Sequence, residues 1–364
     1  MAKKRSGFYF SEELIFQILV WLPVISLLRF RTVCKSWQSM ISSPKLIENH
    51  LANSHKREAC VLGFPTVPVN EAGWLGDFDN AFFFDTRDVS FTLRLPSRFS
   101  GMRHFVRSCK GLVCLSNRCA NIIYLWNPLT MGFRELPTPN IQARFRLDLG
   151  FCFDSVFNDY KLLRIVQSDV SYYGYFTSVL KAELYSTNSN SWKRIRVPKK
   201  VKKVLPWPYS KCVDSRTGVL YFENGKELLS FDTHNEVFGV YQFPESVHHK
   251  RKSDVLDYNG SVAMIFESVD GSVLSLWTLN DDCSKVSWVK KFNFDVVPGI
   301  SWIALHLGGG EFVAQFDNGA RYVFYDYRKK KTKQLPRPPR LQDFMSVFKH
   351  KDSLVSLEGF EQLK

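Results

Sequence analysis

The sequence predicts an α+β chain. A small three-helix unit is expected over residues 8–52, followed by an all-β, propeller-like domain over residues 58–364, with six blades favoured and seven the alternative. Three observations predict it. Apolar residues in the first fifty positions fall at helical spacing. Those in the remainder fall in short runs separated by turn formers. An aromatic-then-turn unit recurs six times along that remainder, and fixed periods of this size mark propeller blades.

The helical unit comes first. Leu14, Ile15, Ile18, Leu19 and Leu22 form one apolar helical stripe. Ser11 is a suitable N-cap, and Glu12 with Glu13 puts acid in the first turn, where the helix dipole favours it. Pro23 stops this helix. Ser26 is expected to cap a second helix carrying Leu27, Leu28, Phe30, Val33 and Trp37. Ser43-Pro44 opens a third, with proline at the first helical position, running to Leu51. So short a unit cannot bury this much apolar surface by itself, so it needs either the rest of the chain or a partner.

The β array follows from Cys60. Its units are 82–96, 124–137, 183–195, 230–244, 276–292 and 323–336, anchored on Phe84, Trp126, Tyr185, Phe231, Trp277 and Tyr325 at spacings of 42, 59, 46, 46 and 48. The aromatic supplies bulk for packing between sheets. The Asn, Asp, Ser or Pro after it starts a hairpin turn. A further strand-like run precedes five of the units: 111–116, 149–153, 218–222, 261–266 and 311–316. The run Ser353 to Leu357 has the same look and is expected to pair near the first blade, removing an open edge. A two-sheet sandwich with accidental periodicity is the rival architecture.

Two stretches carry a family resemblance. Residues 12–37, EELIFQILVWLPVISLLRFRTVCKSW, closely resemble the plant F-box pattern in Leu22-Pro23-Val24, Ser26-Leu27-Leu28-Arg29-Phe30 and Val33-Cys34-Lys35-Ser36-Trp37. Phe10-Ser11 stands where the family has Leu-Pro, Ile25 where it has Lys, and Gln17 where it has an acid. The remainder resembles the F-box-associated interaction domain, of the F-box/kelch-like kind, in Lys110-Gly111-Leu112-Val113-Cys114, in Trp126-Asn127-Pro128-Leu129-Thr130 with Leu136-Pro137, and in Gly150-Phe151-Cys152-Phe153-Asp154 with Asp159-Tyr160-Lys161. The resemblance implies a substrate-recognition adaptor of a Skp–cullin–F-box ubiquitin ligase, with no catalytic residue of its own. It also implies that Leu14, Ile18, Leu22, Pro23, Leu27, Leu28, Val33 and Trp37 form the face that meets the Skp-type linker protein, and through it cullin.

Composition bounds the alternatives. A net charge of +14 favours acidic partners. The basic run Lys199-Lys200-Val201-Lys202-Lys203, with Trp207 and Tyr209 just beyond, is the candidate substrate-binding element; after Pro198 it also resembles a nuclear import signal. Basic runs at 249–252 and 328–333 read first as solvated loops. Aromatics interleaved with these charges are few, so nucleic acid is an unlikely ligand. A basic propeller scaffold for nucleic acid or ribonucleoprotein, outside any ligase, is nevertheless the alternative function. None of the eight cysteines forms a C-x-x-C pair, no histidines have H-E-x-x-H spacing, and phosphate-loop and nucleophile-elbow motifs are absent. No metal, cofactor or enzyme chemistry is expected. With neither a leader pattern nor an 18-residue apolar run, the expected location is cytoplasm and/or nucleus, without membrane.

Overall fold

In the computed structural model, residues 10–53, 60–65, 80–84, 89–94, 99, 104–117, 121–142, 147–172, 175–201, 212–214, 218–223, 227–247, 253–268, 270–282, 285–295, 297–316, 321–335 and 344–362 are described. The amino-terminal segment forms four helices, not three: α1 (Glu12–Leu19), α2 (Val24–Phe30), α3 (Lys35–Ser42) and α4 (Pro44–Asn53). Ser11 caps α1 by accepting from the Leu14 N–H, and Ser43 caps α4 by accepting from the Leu46 N–H. The expected second helix starts earlier and ends sooner than Ser26 to Trp37. Pro23, extended at ψ 147°, provides the N-cap position of α2. After Phe30 the Thr32 hydroxyl donates to the Arg29 carbonyl at 2.8 Å, which competes with the helix ladder. Cys34 is then fully extended, and α3 begins anew after it.

The described strands form six antiparallel sheets: five of four strands and one of five. Sheet one holds Cys60–Pro65, Asn80–Phe84 and Val89–Arg94 together with Phe344–His350. Sheet two spans 104–135 and gains Glu361–Gln362 at its outer edge. Sheets three to six span 147–195, 212–242, 253–295 and 300–334 in chain order. The innermost strand of each sheet touches that of the next, and Ile300–Gly308 meets Phe344–His350, which in turn meets His104–Cys109. The sheets therefore close into a ring without an open seam. A seventh sheet is not found among the described residues.

All six anchor aromatics lie on the third strand of their sheets. Trp126, Tyr185, Phe231 and Tyr325 are buried, and the apolar clusters of the array join neighbouring sheets. The turn formers act as the sequence suggests. Asn127, Asp232 and Asp326 each accept from the two backbone N–H groups two and three residues on. Each of these turns ends in a residue of positive φ: Met131, Glu236 and Lys330.

Two expectations about strands need correction. The run 149–153 lies in an innermost strand, Leu147–Asp154, whereas the other four runs lie in second strands. Both kinds of strand are covered on two faces, so both read as continuous apolar runs. Second, Ser353 to Leu357 is not a strand; Phe344–His350 closes the ring instead. The carbonyls of Ser353 and Val355 are taken by a side chain, that of Asn127.

The closing strand also carries a titratable group. His350 is fully buried, and its Nδ1 lies 2.9 Å from the Ser108 hydroxyl on the next innermost strand. Burial pushes its pKa down to about 3. His306 is lowered to about 4, by burial first and then by the charge of Lys349. Both rings are neutral in the fold but take a proton near pH 6.5 when unfolded, so the stability they contribute is complete above that pH and is lost as pH falls toward 4 and 3. The expected outcome is a lower urea midpoint at pH 5 than at pH 7, with part of that difference removed in His350→Gln. A midpoint that does not move between the two pH values contradicts it.

Candidate partner-binding surfaces

The helical unit has its own core of Leu19, Val20, Val24, Leu27, Ile41 and Leu46, flanked by an edge-to-face contact between Phe30 and Trp37. His50 is buried among these helices, and its Nε2 meets the Leu22 carbonyl at 2.9 Å, at the turn from α1 to α2. A different set stays outside. Leu14 is 45% exposed, Ile18 48%, Trp21 51%, Ile25 45% and Val33 60%, and Phe10 is exposed ahead of them. Leu14 and Ile18 are one turn apart on α1 and so share a face.

The predicted docking residues thus divide. Leu14, Ile18, Pro23 and Val33 are exposed. Leu22, Leu28 and Trp37 are half-buried and pack against the internal core. Leu27 is completely buried, so its side chain is not on the surface of the free chain. Trp21 and Ile25 are exposed apolar residues absent from the predicted set. The sequence does carry a signal for them: Leu14, Ile18, Trp21 and Ile25 are spaced four, three and four apart.

The same core includes a residue from the far end of the chain. Leu354 is buried within it, and Leu129 packs at its margin. Both belong to a small clamp. Fully buried Asn127 donates from Nδ2 to the Ser353 and Val355 carbonyls at 3.0 and 2.8 Å, while its Oδ1 accepts from Leu129 and Thr130. Gly111, at φ +82°, lies against the tail so closely that a Cβ there would stand 2.1 Å from that of Ser353. Two of the sequence motifs, 110–114 and 126–130, therefore grip the tail that presents Leu354 to the helices.

The third motif pins sheets together. A Cβ on Gly150 would sit 2.6 Å from Leu220 Cδ1, so the glycine permits sheet four to approach. Lys161 is buried and donates to Asp154 at 2.8 Å and to the Thr233 carbonyl of sheet four at 2.8 Å. Burial works to raise the Asp154 carboxyl, but hydrogen bonds from Lys161 and from the Phe157 and Val156 backbone prevail and hold it below the usual value. The Tyr160 hydroxyl donates to the Lys110 carbonyl, tying sheet three back to sheet two. Alongside these pins, Arg164 and Glu183 form a fully buried ion pair within sheet three.

The basic elements sit apart from the helical face in the sequence. Lys199 and Lys200 are exposed in the turn after sheet three. Lys202, Lys203, Trp207, Tyr209 and the 249–252 run lie outside the described residues. The 328–333 run is the exposed hairpin of sheet six, where Lys329 pairs with Asp326 at 3.0 Å. Among the described residues no group of three or more His, Cys, Asp or Glu is placed to hold a metal ion, and no helix is long and apolar enough to cross a membrane.

With this geometry in view, comparison with known proteins is direct. Residues 80–335 match the F-box associated beta propeller domain, and residues 10–49 match the F-box domain. The putative F-box/kelch-repeat protein At1g12870 of Arabidopsis thaliana is 23% identical over 79% of this chain and 71% of its own length. The putative F-box protein At4g09190 of the same plant is 27% identical over 77% and 70%. The putative F-box protein At1g46984, also from Arabidopsis thaliana, is 25% identical over 93% and 88%.

Replacing Asn127 with Ala removes this side-chain donor and leaves the Ser353 and Val355 carbonyls without it. A stability loss of about 2 kcal/mol is expected in denaturant melts. Hydrogen exchange should also accelerate within residues 12–53 while amides of sheets four to six keep their protection. Uniform acceleration across all sheets would show that the clamp does not act locally.

Proposed function

We propose, from the premise that this chain belongs to the family of proteins built on an F-box associated β-propeller domain, that it is the substrate-recognition adaptor of a Skp–cullin–F-box ubiquitin ligase. The observation that carries the reading is the apolar face on the F-box helices. Leu14, Ile18, Trp21, Ile25 and Val33 stay exposed although the unit has a complete core beneath them. Exposed apolar side chains concentrated in this way mark an interaction surface. A Skp-type linker protein is the partner the family implies, with cullin beyond it.

In this reading the docking face is Leu14, Ile18, Pro23 and Val33, extended by Trp21 and Ile25, with half-buried Leu22, Leu28 and Trp37 at its margin. Leu27 supports the face from inside. The loops of this propeller hold a protein substrate. An adaptor needs no reactive side chain. It raises the effective concentration of a substrate lysine beside the ubiquitin-carrying enzyme. The linkage of Leu354 and Asn127 to the F-box core gives such an adaptor a fixed distance between linker and substrate. Cytoplasm and nucleus are the compartments in which this activity is proposed.

The test is co-purification with the linker protein. Each exposed leucine or isoleucine buried at such an interface contributes roughly 1.5 kcal/mol or more. Leu14→Asp with Ile18→Asp should therefore weaken linker binding by roughly 100-fold or more, with the unfolding transition of the propeller unchanged. Retention of the linker by that double variant at wild-type affinity would overturn the adaptor reading.

A further inference from the structure

On the outer side of sheet three the third strand outruns its neighbour. Tyr175–Ser186 pairs along its whole length with Asp159–Tyr172, but Ser191–Ile195 covers only Ala182 to Ser186. The outer strand leaves the sheet after Ile195, where Arg196-Val197-Pro198 leads into the turn closed by the Val201 N–H on the Pro198 carbonyl. Among the described residues, the edge of residues 175–181 therefore has no strand beside it. A groove of about 430 Å³ opens at this point.

Its chemistry is one-sided. Ile141, Leu180 and Ile195 are buried and give it an apolar floor. Lys181, Arg194, Arg196 and Lys199 line it and are all exposed. None of its lining residues among those described is acidic. The only carboxylate close by in sequence, Glu183, is fully buried and already engaged by Arg164 and by the Asn140 and Ile141 N–H groups.

We propose that this groove is the substrate-docking site, and that its occupant is an acidic segment of the substrate bound in extended form along the edge of residues 175–181. This rests on the adaptor reading and gives its substrate a chemical class. A strand laid along the edge would satisfy the backbone groups that Ser191–Ile195 leaves open, which is β-augmentation. Side chains alternate along such a strand, so apolar residues would reach the floor while acidic ones meet the four cations. Charge complementarity supplies selectivity and rate of encounter. Nucleic acid fits less well, because single strands are held by aromatic stacking and, among the described residues, no aromatic side chain lines the groove.

The experiment uses the full chain co-expressed with its linker protein. The probe is a fluorescein-labelled ten-residue peptide alternating Glu and Val, followed by anisotropy, with a Lys/Val peptide and a ten-nucleotide uridine oligomer as comparisons. The acidic peptide should bind and the Lys/Val peptide should not. Arg194→Glu with Arg196→Glu should weaken acidic-peptide binding at least tenfold, with the linker still co-purifying. On peptide addition the amides of residues 180–182 should slow in hydrogen exchange.

A second double variant, Lys331→Glu with Lys333→Glu, makes the same charge change on the exposed hairpin of sheet six and should leave peptide binding unaltered. Equal weakening by both double variants would mean that the peptide senses net charge alone, and would overturn the proposal. So would tighter binding of the uridine oligomer at Arg194 and Arg196, or no binding of the acidic peptide to the wild-type chain. Loss of the linker from the wild-type chain would instead count against the adaptor reading, and the peptide result would still decide the groove.

Discussion

The buried amide of Asn127 is the contact on which the arrangement of the molecule depends. One end of it completes the hairpin turn of sheet two, by accepting from Leu129 and Thr130. The other end holds the tail through the Ser353 and Val355 carbonyls. Buried polar groups are costly when left unpaired, and this buried side chain pairs with four backbone groups at once, which restricts the backbone on both sides. Its geometric result is that Leu129 and Leu354 stand where the F-box core needs covering. A hydrogen-bonding constraint inside one sheet thereby sets the position of a separate helical unit.

The same economy runs through the neighbouring sheets. Residues that identify the family in the sequence prove to be devices of assembly rather than of binding. Gly111 makes room for the tail, Gly150 makes room for sheet four, and Lys161 bridges sheet three to the Thr233 carbonyl. Tyr160 reaches back to Lys110. The partner-binding surfaces proposed above use residues of a different kind: exposed apolar positions on the helices, and cations at a strand edge. The frame and these surfaces use separate side chains, so substitutions at the surface need not disturb closure of the ring.

Much of the frame was legible in the sequence because it rests on local rules. The aromatic period located the third strand of every sheet, and Ser11 and Ser43 declared their caps. What was not legible depends on distant neighbours. Nothing local distinguishes buried Leu27 from exposed Ile25, because what covers one and not the other includes Leu354, three hundred residues away. The break between α2 and α3 comes where the Thr32 hydroxyl bonds back to the Arg29 carbonyl and Cys34 is extended. The groove on sheet three was invisible because Arg194 and Arg196, in and just after a polar outer strand, read as ordinary solvent-facing residues. Only the mismatch in strand lengths brings them to one groove.

The position of Leu354 has a consequence for biosynthesis. The F-box helices leave the ribosome first, yet the side chain that completes their core is made some three hundred residues later. Domains generally fold as units during synthesis, the amino-terminal one first. Here the apolar floor that Leu354 covers stays open at least until the tail has been synthesised. During that interval the nascent helices present two apolar surfaces rather than one. If the proposed linker protein binds the outer face early, it covers one of the two while the chain is being completed.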